Sequence, residues 1–190
     1  MAMPDVVERD WMPGDVRRLP DDGNKYECVD GVLLVTPGPA YDHVYTVEAF
    51  FRALDAFAIT LRPDARLYQS SADVELDSRS MVQPDLFVAR PKSGLDRIRR
   101  TEDVRDLLLA IEVLSPGTAR VDRGPKRELY QRAGVHEYWI VDHEARLVER
   151  WRPSDVRPEI LRGTLVWHPE GAVKPLALDL PALFAQARGA

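Results

Sequence analysis

Hydrophobic and polar positions recur along this chain with two different periods, and the changes of period mark its elements. Residues 1–25 show little periodicity. Pro4, Pro13 and Pro20 break any long helix there, so the segment reads as an N-terminal arm. Tyr26-Glu-Cys-Val and Val32-Leu-Leu-Val then flank Asp30-Gly31, which suits two strands joined by a type I′ turn. Pro37-Gly-Pro39 ends that unit. From Tyr41 to about Thr60 the period lengthens. Val44, Val47, Phe50, Phe51, Leu54 and Phe57 recur at steps of three and four or close to them, which predicts an amphipathic helix.

Short strands are expected near Arg66–Ser71 and Ala72–Leu76. Pro84-Asp85-Leu-Phe-Val-Ala reads as a strand opening at a proline, where a missing donor is tolerated. Residues 91–104 form a polar, basic loop. Leu107 to Leu114 (LLLAIEVL) is an almost unbroken apolar run, the pattern of a central strand buried on both faces. Ser115-Pro-Gly-Thr interrupts it. Pro125 suits the first position of a helix running to about Ala133, with Gly134 as its stop. Glu137–Val141 and Leu147–Trp151 read as a hairpin. Further strands are expected around Ile160 and Leu165–Trp167, and a brief helix over Ala182–Ala187. No internal repeat or linker divides the chain. The order of elements predicts one α/β (α+β) domain over residues 26–190, a mixed β-sheet flanked by helices with an N-terminal β-hairpin, behind the arm of residues 1–25.

Composition narrows this picture in three ways. A chain of 190 residues can bury a core without staples. Its single cysteine, Cys28, excludes an internal disulfide and fits a reducing compartment; in its apolar run it reads as a small buried residue. Residues 1–11 lack the apolar core of a secretory signal, and no apolar run approaches the roughly 18 residues of a membrane span. The expectation is a cytoplasmic protein without a membrane partner. The net charge of −5 weighs against indiscriminate nucleic-acid binding. Pro91 to Arg132 departs from that balance, with 10 basic and 7 acidic residues. Arg97, Arg99, Arg100, Arg120, Arg123, Lys126 and Arg127 there are either an ordinary solvated surface or a rim that tracks phosphates.

Glu112 is the most informative residue. A carboxylate inside a buried apolar strand costs several kcal/mol unless it neutralises or finds a cation, and LLLAIEVL contains no basic partner. Asp85, 27 residues earlier at the mouth of its own strand, is the natural companion. If the two strands are neighbours, both carboxylates reach one sheet edge, where they repel unless a cation lies between them. Hard oxygen ligands with water positions left open suit Mg²⁺ or Mn²⁺. Pro-Asp alone is a common turn dipeptide, and its weight comes from Glu112.

Lys126 is the third candidate. It shares a helix face with Tyr130, and Asp122 four residues before it is a cap or a partner. Glu27 in the first hairpin reads as an outer metal ligand or a surface residue. His43 reads as a site-facing residue of the first long helix or a packing one. His43, His136, His143 and His168 form no close pair with zinc spacing, and no phosphate-binding glycine loop or nucleophile elbow is present.

Taken in order, Tyr26-Glu-Cys-Val-Asp-Gly, Pro84-Asp85, Glu112-Val-Leu-Ser-Pro, Asp122…Lys126…Tyr130 and Gly134-Val-His-Glu-Tyr-Trp-Ile-Val-Asp142 resemble the Uma2 family of restriction-endonuclease-like proteins. The resemblance runs from about residue 15 through the terminal Leu-Ala-Leu-Asp-Leu-Pro-Ala-Leu-Phe. It implies a PD-(D/E)xK nuclease core with a Mg²⁺ site at one sheet edge. It also implies metal-assisted hydrolysis of nucleic-acid phosphodiester bonds, most naturally in DNA. Asp85 matches the aspartate of the Pro-Asp signature and Glu112 its second acid. Asp85, Glu112 and the Val113 carbonyl are then the implied metal ligands. The signature lysine belongs at position 114, where this chain has Leu114, and Lys126 is the implied replacement. Glu27 is implied as metal support. Arg120, Arg123, His43 and Tyr130 are the expected substrate contacts, and a homodimer is consistent with cutting two strands. Two other readings stay open: a non-catalytic scaffold that kept the core, and a metal-dependent hydrolase of another phosphorylated substrate.

Overall fold

The computed structural model describes residues 10–61, 64–70, 72–93, 95 and 97–189. The first nine residues of the expected arm, Ser71 of one expected strand and Ala190 lie outside them. In chain order the elements are α1 (Pro13–Val16), β1 (Lys25–Val29), β2 (Val32–Thr36), α2 (Tyr41–Thr60), β3 (Arg66–Gln69), β4 (Val74–Asp77), β5 (Ser80–Val82), β6 (Leu86–Pro91) and β7 (Val104–Val113). A helical stretch follows: α3 (Ala119–Val121), a π turn (Asp122–Lys126) and α4 (Arg127–Arg132). The chain continues with β8 (Tyr138–Asp142), β9 (Leu147–Trp151), β10 (Glu159–Leu161), β11 (Thr164–Trp167), β12 (Leu176–Asp179) and α5 (Leu180–Ala187).

A six-stranded sheet in the order β10-β9-β8-β7-β6-β3 forms the centre of the fold. It is mixed, as expected: β6 runs antiparallel to β7, and β7 runs parallel to β8. A parallel pair needs a crossover, and the helical stretch from Ala119 to Arg132 supplies it. A second sheet, β2-β1-β5-β4, carries the N-terminal hairpin. Asp30 and Gly31 have φ of 52° and 82°, the left-handed pair that a type I′ turn requires.

Strand β7 is buried on both faces, and the period of two decides which residue meets which core. Leu109, Ile111 and Val113 join the cluster under α2 and α5, with Val47, Phe50, Leu54 and Phe184. Ala110 and Leu114 face the opposite cluster, with Leu129, Tyr130 and Tyr138. Glu112 lies between Ala110 and Leu114 on that second face. Position 114, the usual place of the signature lysine, is therefore committed to apolar packing and is 6% exposed.

Two local expectations are corrected, and two strands are unexpected. The helix expected from Pro125 begins at Ala119, and Pro125 lies inside the π turn. Proline removes a donor and strains the residue before it, and the wider turn absorbs that defect. Strands β5 and β12 carry too few alternating positions to stand out in the sequence. Val44, placed on the apolar face of α2, is 43% exposed; the buried face is Val47, Phe50, Leu54 and Ala58.

Candidate active site at the end of the central strands

Strands β6 and β7 pair as far as Leu86 and Ile111. One step further, on the opposite face, stand Asp85 and Glu112. Asp85 is pinned by its backbone, whose carbonyl accepts from the Ser70 N–H at 2.9 Å. Its Oδ2 accepts from the Val113 N–H at 2.8 Å and lies 3.1 Å from His43 Nε2, at the start of α2. The residue after β3 thus fixes the Asp85 backbone, and the main chain of β7 and the first turn of α2 fix its carboxylate.

Glu112 is held from the other side. Its Oε1 accepts from Lys126 Nζ at 2.9 Å and from the Tyr130 hydroxyl at 3.1 Å. Lys126 also lies 2.8 Å from Glu27 Oε2 and 3.8 Å from Asp122 Oδ1. The π turn matters here, because both ends of it, Asp122 and Lys126, are buried within this cluster. Glu27 is fixed in turn by the Gln83 N–H, which donates to its Oε1 at 2.7 Å.

Lys25 completes the group. Its Nζ stands 3.7 Å from Asp85 Oδ1, 3.7 Å from Glu112 Oε2 and 3.8 Å from Glu27 Oε1. Sequence reasoning assigned Lys25 to the arm, one residue before the hairpin. A signal was available: in a strand, Lys25 and Glu27 are two apart and must share a face.

These side chains line one cleft of about 510 Å³, together with Ser115, Thr118 and Asn24. Of the seven basic residues singled out between Pro91 and Arg132, only Lys126 is in its lining. Arg123, expected at a substrate rim, is turned instead to Glu149 and Asp142. Arg120 is exposed and outside the lining. Tyr130 is fully buried, so it reaches Glu112 and not a ligand in the cleft. Asp85, Glu112, Val113, Lys126, Glu27 and His43 are brought together.

Four carboxylates here share two ammonium groups and one imidazole, and the protonation states divide accordingly. Burial alone raises Asp85, but Lys25, His43 and the Val113 N–H outweigh it and bring its pKa to about 2. Burial raises Glu112 to about 7 despite Lys126 and Lys25, with Asp85 and Asp122 adding to the rise. Burial likewise lifts Asp122 to about 6 against the pull of Lys126. Burial opposes the charge on Lys126, yet Glu112, Glu27 and Asp122 hold its pKa well above the ordinary value.

The residues fit a small divalent cation. Asp85 Oδ1 and Glu112 Oε2 both face the same cation, the Lys25 ammonium, and each has its other oxygen anchored. Among the described residues no three His, Cys, Asp or Glu side chains form a group able to hold a metal by themselves. Mg²⁺ does not need one: it is commonly held by one or two carboxylates and keeps several waters. The net negative charge of the cluster matches that donor set.

Among the described residues no helix is long and apolar enough to cross a membrane. No curated protein is similar enough to match this chain. The fold is similar to that of a crystal structure described as a putative nuclease belonging to DUF820 from Anabaena variabilis. The TM-score is 0.73 and the identity 20%, over 93% of this chain and 99% of that one. The family Uma2, described as "Putative restriction endonuclease", matches residues 13–181, a span that holds every residue of the cleft named above. The pairing of a restriction-endonuclease-like mixed sheet with that match over most of the sequence identifies the chain as a member of the Uma2 family.

Proposed function

We propose that this protein is a divalent-metal-dependent endonuclease that hydrolyses nucleic-acid phosphodiester bonds, most naturally those of DNA. The observation that carries the reading is the convergence of Asp85 Oδ1 and Glu112 Oε2 on one cation position inside a cleft. Mg²⁺, or Mn²⁺ in its place, would be held by these two carboxylates and by the Val113 carbonyl at the same strand end. When bound, such an ion lowers the pKa of a coordinated water and polarises a phosphoryl oxygen.

The chain's own residues prepare the site. His43 and the Val113 N–H keep Asp85 oriented and ionised. Lys126 and Tyr130 fix Glu112, so its second oxygen stays directed at the cleft. Lys126 is 3% exposed and engaged by three carboxylates, which suits it to hold them and to stabilise charge from behind. Glu27 ties the hairpin to that lysine.

The test is cleavage of plasmid DNA with Mg²⁺ or Mn²⁺. Asp85→Asn and Glu112→Gln should each lower the rate by about 100-fold or more, the usual loss when a preorganised charge stabiliser is removed. Circular dichroism should show both variants folded. Undiminished cleavage by both variants dismisses this site. A folded wild type that binds Mn²⁺ but cleaves neither DNA nor RNA dismisses the nuclease reading.

A further inference from the structure

The two lysines of the cleft are held in different ways. Lys126 makes direct hydrogen-bonding contacts with Glu27 and Glu112 at 2.8 and 2.9 Å, and its side chain is 4% exposed. Lys25 makes no hydrogen bond through its ammonium among the described residues. Three carboxylates surround that ammonium at 3.7 to 3.8 Å, and its side chain is 20% exposed. Lys126 is locked, whereas Lys25 is balanced between its partners by charge alone.

The position of Lys25 is also the position a metal needs. Mg²⁺ binds carboxylate oxygen at about 2.0–2.1 Å. Asp85 Oδ1 and Glu112 Oε2 are each 3.7 Å from the Lys25 nitrogen, so one ammonium serves both carboxylates from the position they share. An ammonium and a divalent ion held by the same two oxygens would repel strongly. Lysine carries its charge on a flexible four-carbon stem. The ammonium can therefore withdraw while the backbone of Lys25 stays paired with Thr36 in β2.

We propose that Lys25 is a built-in placeholder for the metal, a counter-ion between Asp85 and Glu112 that must leave before a divalent cation binds. The inference rests on the proposed metal site and names how that site is regulated. Without metal, Lys25 keeps two converging carboxylates from repelling. With metal, its ammonium is displaced toward the open side of the cleft, where a phosphodiester would lie. Lys25 thereby lowers the affinity for free metal and couples metal entry to its own release.

The experiment is calorimetric titration of Mn²⁺, repeated with Mg²⁺, into the full chain and four variants. Lys25→Met keeps the stem and removes the charge. It should bind Mn²⁺ about tenfold or more tightly than wild type, within the range usual for coupling between two competing ligands. Lys25→Gln should behave similarly and guards against a folding defect in the methionine variant. Lys25→Arg keeps the charge and should bind no more tightly than wild type. Glu112→Gln should lose binding. Melting without and with Mn²⁺ adds a second readout: Lys25→Met should melt below wild type when metal-free and gain more on adding Mn²⁺. If wild type binds and the uncharged variants bind equally or more weakly, the placeholder is overturned and the metal site stands. Equal gains in Lys25→Arg and Lys25→Met also overturn it, because the stem and not the charge would be responsible. If neither wild type nor Lys25→Met binds either ion, the metal site and the placeholder fall together.

Discussion

Asp85 and Glu112 occupy matching places one step beyond the same strand pair, yet they carry opposite electrostatic characters. Both are buried, at 7% and 3% exposure, so depth does not separate them. The supply of positive charge and donors does. Asp85 has His43, a main-chain N–H and Lys25 directed at it, and its pKa falls to about 2 against the cost of burial. Glu112 shares Lys126 with Glu27 and Asp122, so burial prevails and its pKa rises to about 7. The carboxylate inside the apolar strand is the under-compensated one. An added cation would therefore gain most from Glu112, and Asp85 would serve as its permanently charged partner.

The largest expected effect comes from removing the cation on the Glu112 side. Lys126→Met leaves Glu27, Glu112 and Asp122 buried, with Lys25 as the one ammonium of the cluster left among the described residues. Breaking a buried pair from one side typically costs about 3–5 kcal/mol. Chemical denaturation at neutral pH should report a loss of that order. Protonation of Glu112 and Asp122 would soften it, so the loss should shrink in mild acid. A variant as stable as wild type would mean that Lys126 is not what holds the inner carboxylates.

The next effect is a stability profile with two limbs of opposite sign. Glu112 has a folded pKa of about 7 against an ordinary 4.5, so the folded chain binds its proton more tightly than the unfolded chain. Its contribution is fully present below the ordinary value and is lost as pH rises through about 7. Asp122, lifted to about 6, acts in the same direction. Asp85 acts oppositely: its contribution holds above the ordinary 3.8 and is lost as pH falls toward 2. Glu112→Gln should flatten the metal-free profile between about pH 5 and 7 by something on the order of 2 kcal/mol. Asp85→Asn should remove the acid limb and also reduce the upper one, because its charge helps to raise Glu112 and His43. An unchanged slope in Glu112→Gln would remove the contrast between the two carboxylates.

What was legible in the sequence follows the same physics. The long helix over residues 41–60 and the Asp30-Gly31 hairpin stand out because period and turn chemistry are local. Glu112 stands out because one charge in an apolar run violates the run. Lys25 does not, because a lysine near a polar arm violates nothing; only its strand register with Glu27 betrays it. The basic stretch misleads in the opposite way. Arg123 adds positive charge to the sequence count, but Glu149 and Asp142 sit against it in space. Likewise, Pro125 reads as a helix start, and no local pattern announces the π turn that places Asp122 and Lys126 together.

The smallest expected effect tests the Asp85 side through His43. Its Nε2 meets Asp85 at 3.1 Å, while its Nδ1 is buried without a hydrogen-bond partner among the described residues. Burial lowers the His43 pKa, but the hydrogen bond to Asp85 and the charge of that carboxylate prevail, and the net shift is upward. A histidine with a raised folded pKa stabilises below its ordinary value, and that stabilisation is lost as pH rises through the folded one. His43→Ala should therefore cost about 1.5 kcal/mol near pH 6, the low end of the range for a hydrogen bond to a charged group, and less near pH 8.5. His43→Gln, which keeps a donor, should recover part of the loss at the higher pH and little at the lower. Denaturation curves at the two pH values decide the matter. A gap that stays constant with pH would mean that a neutral imidazole holds Asp85, and that Lys25 and the Val113 N–H account for its low pKa without help from a histidine charge.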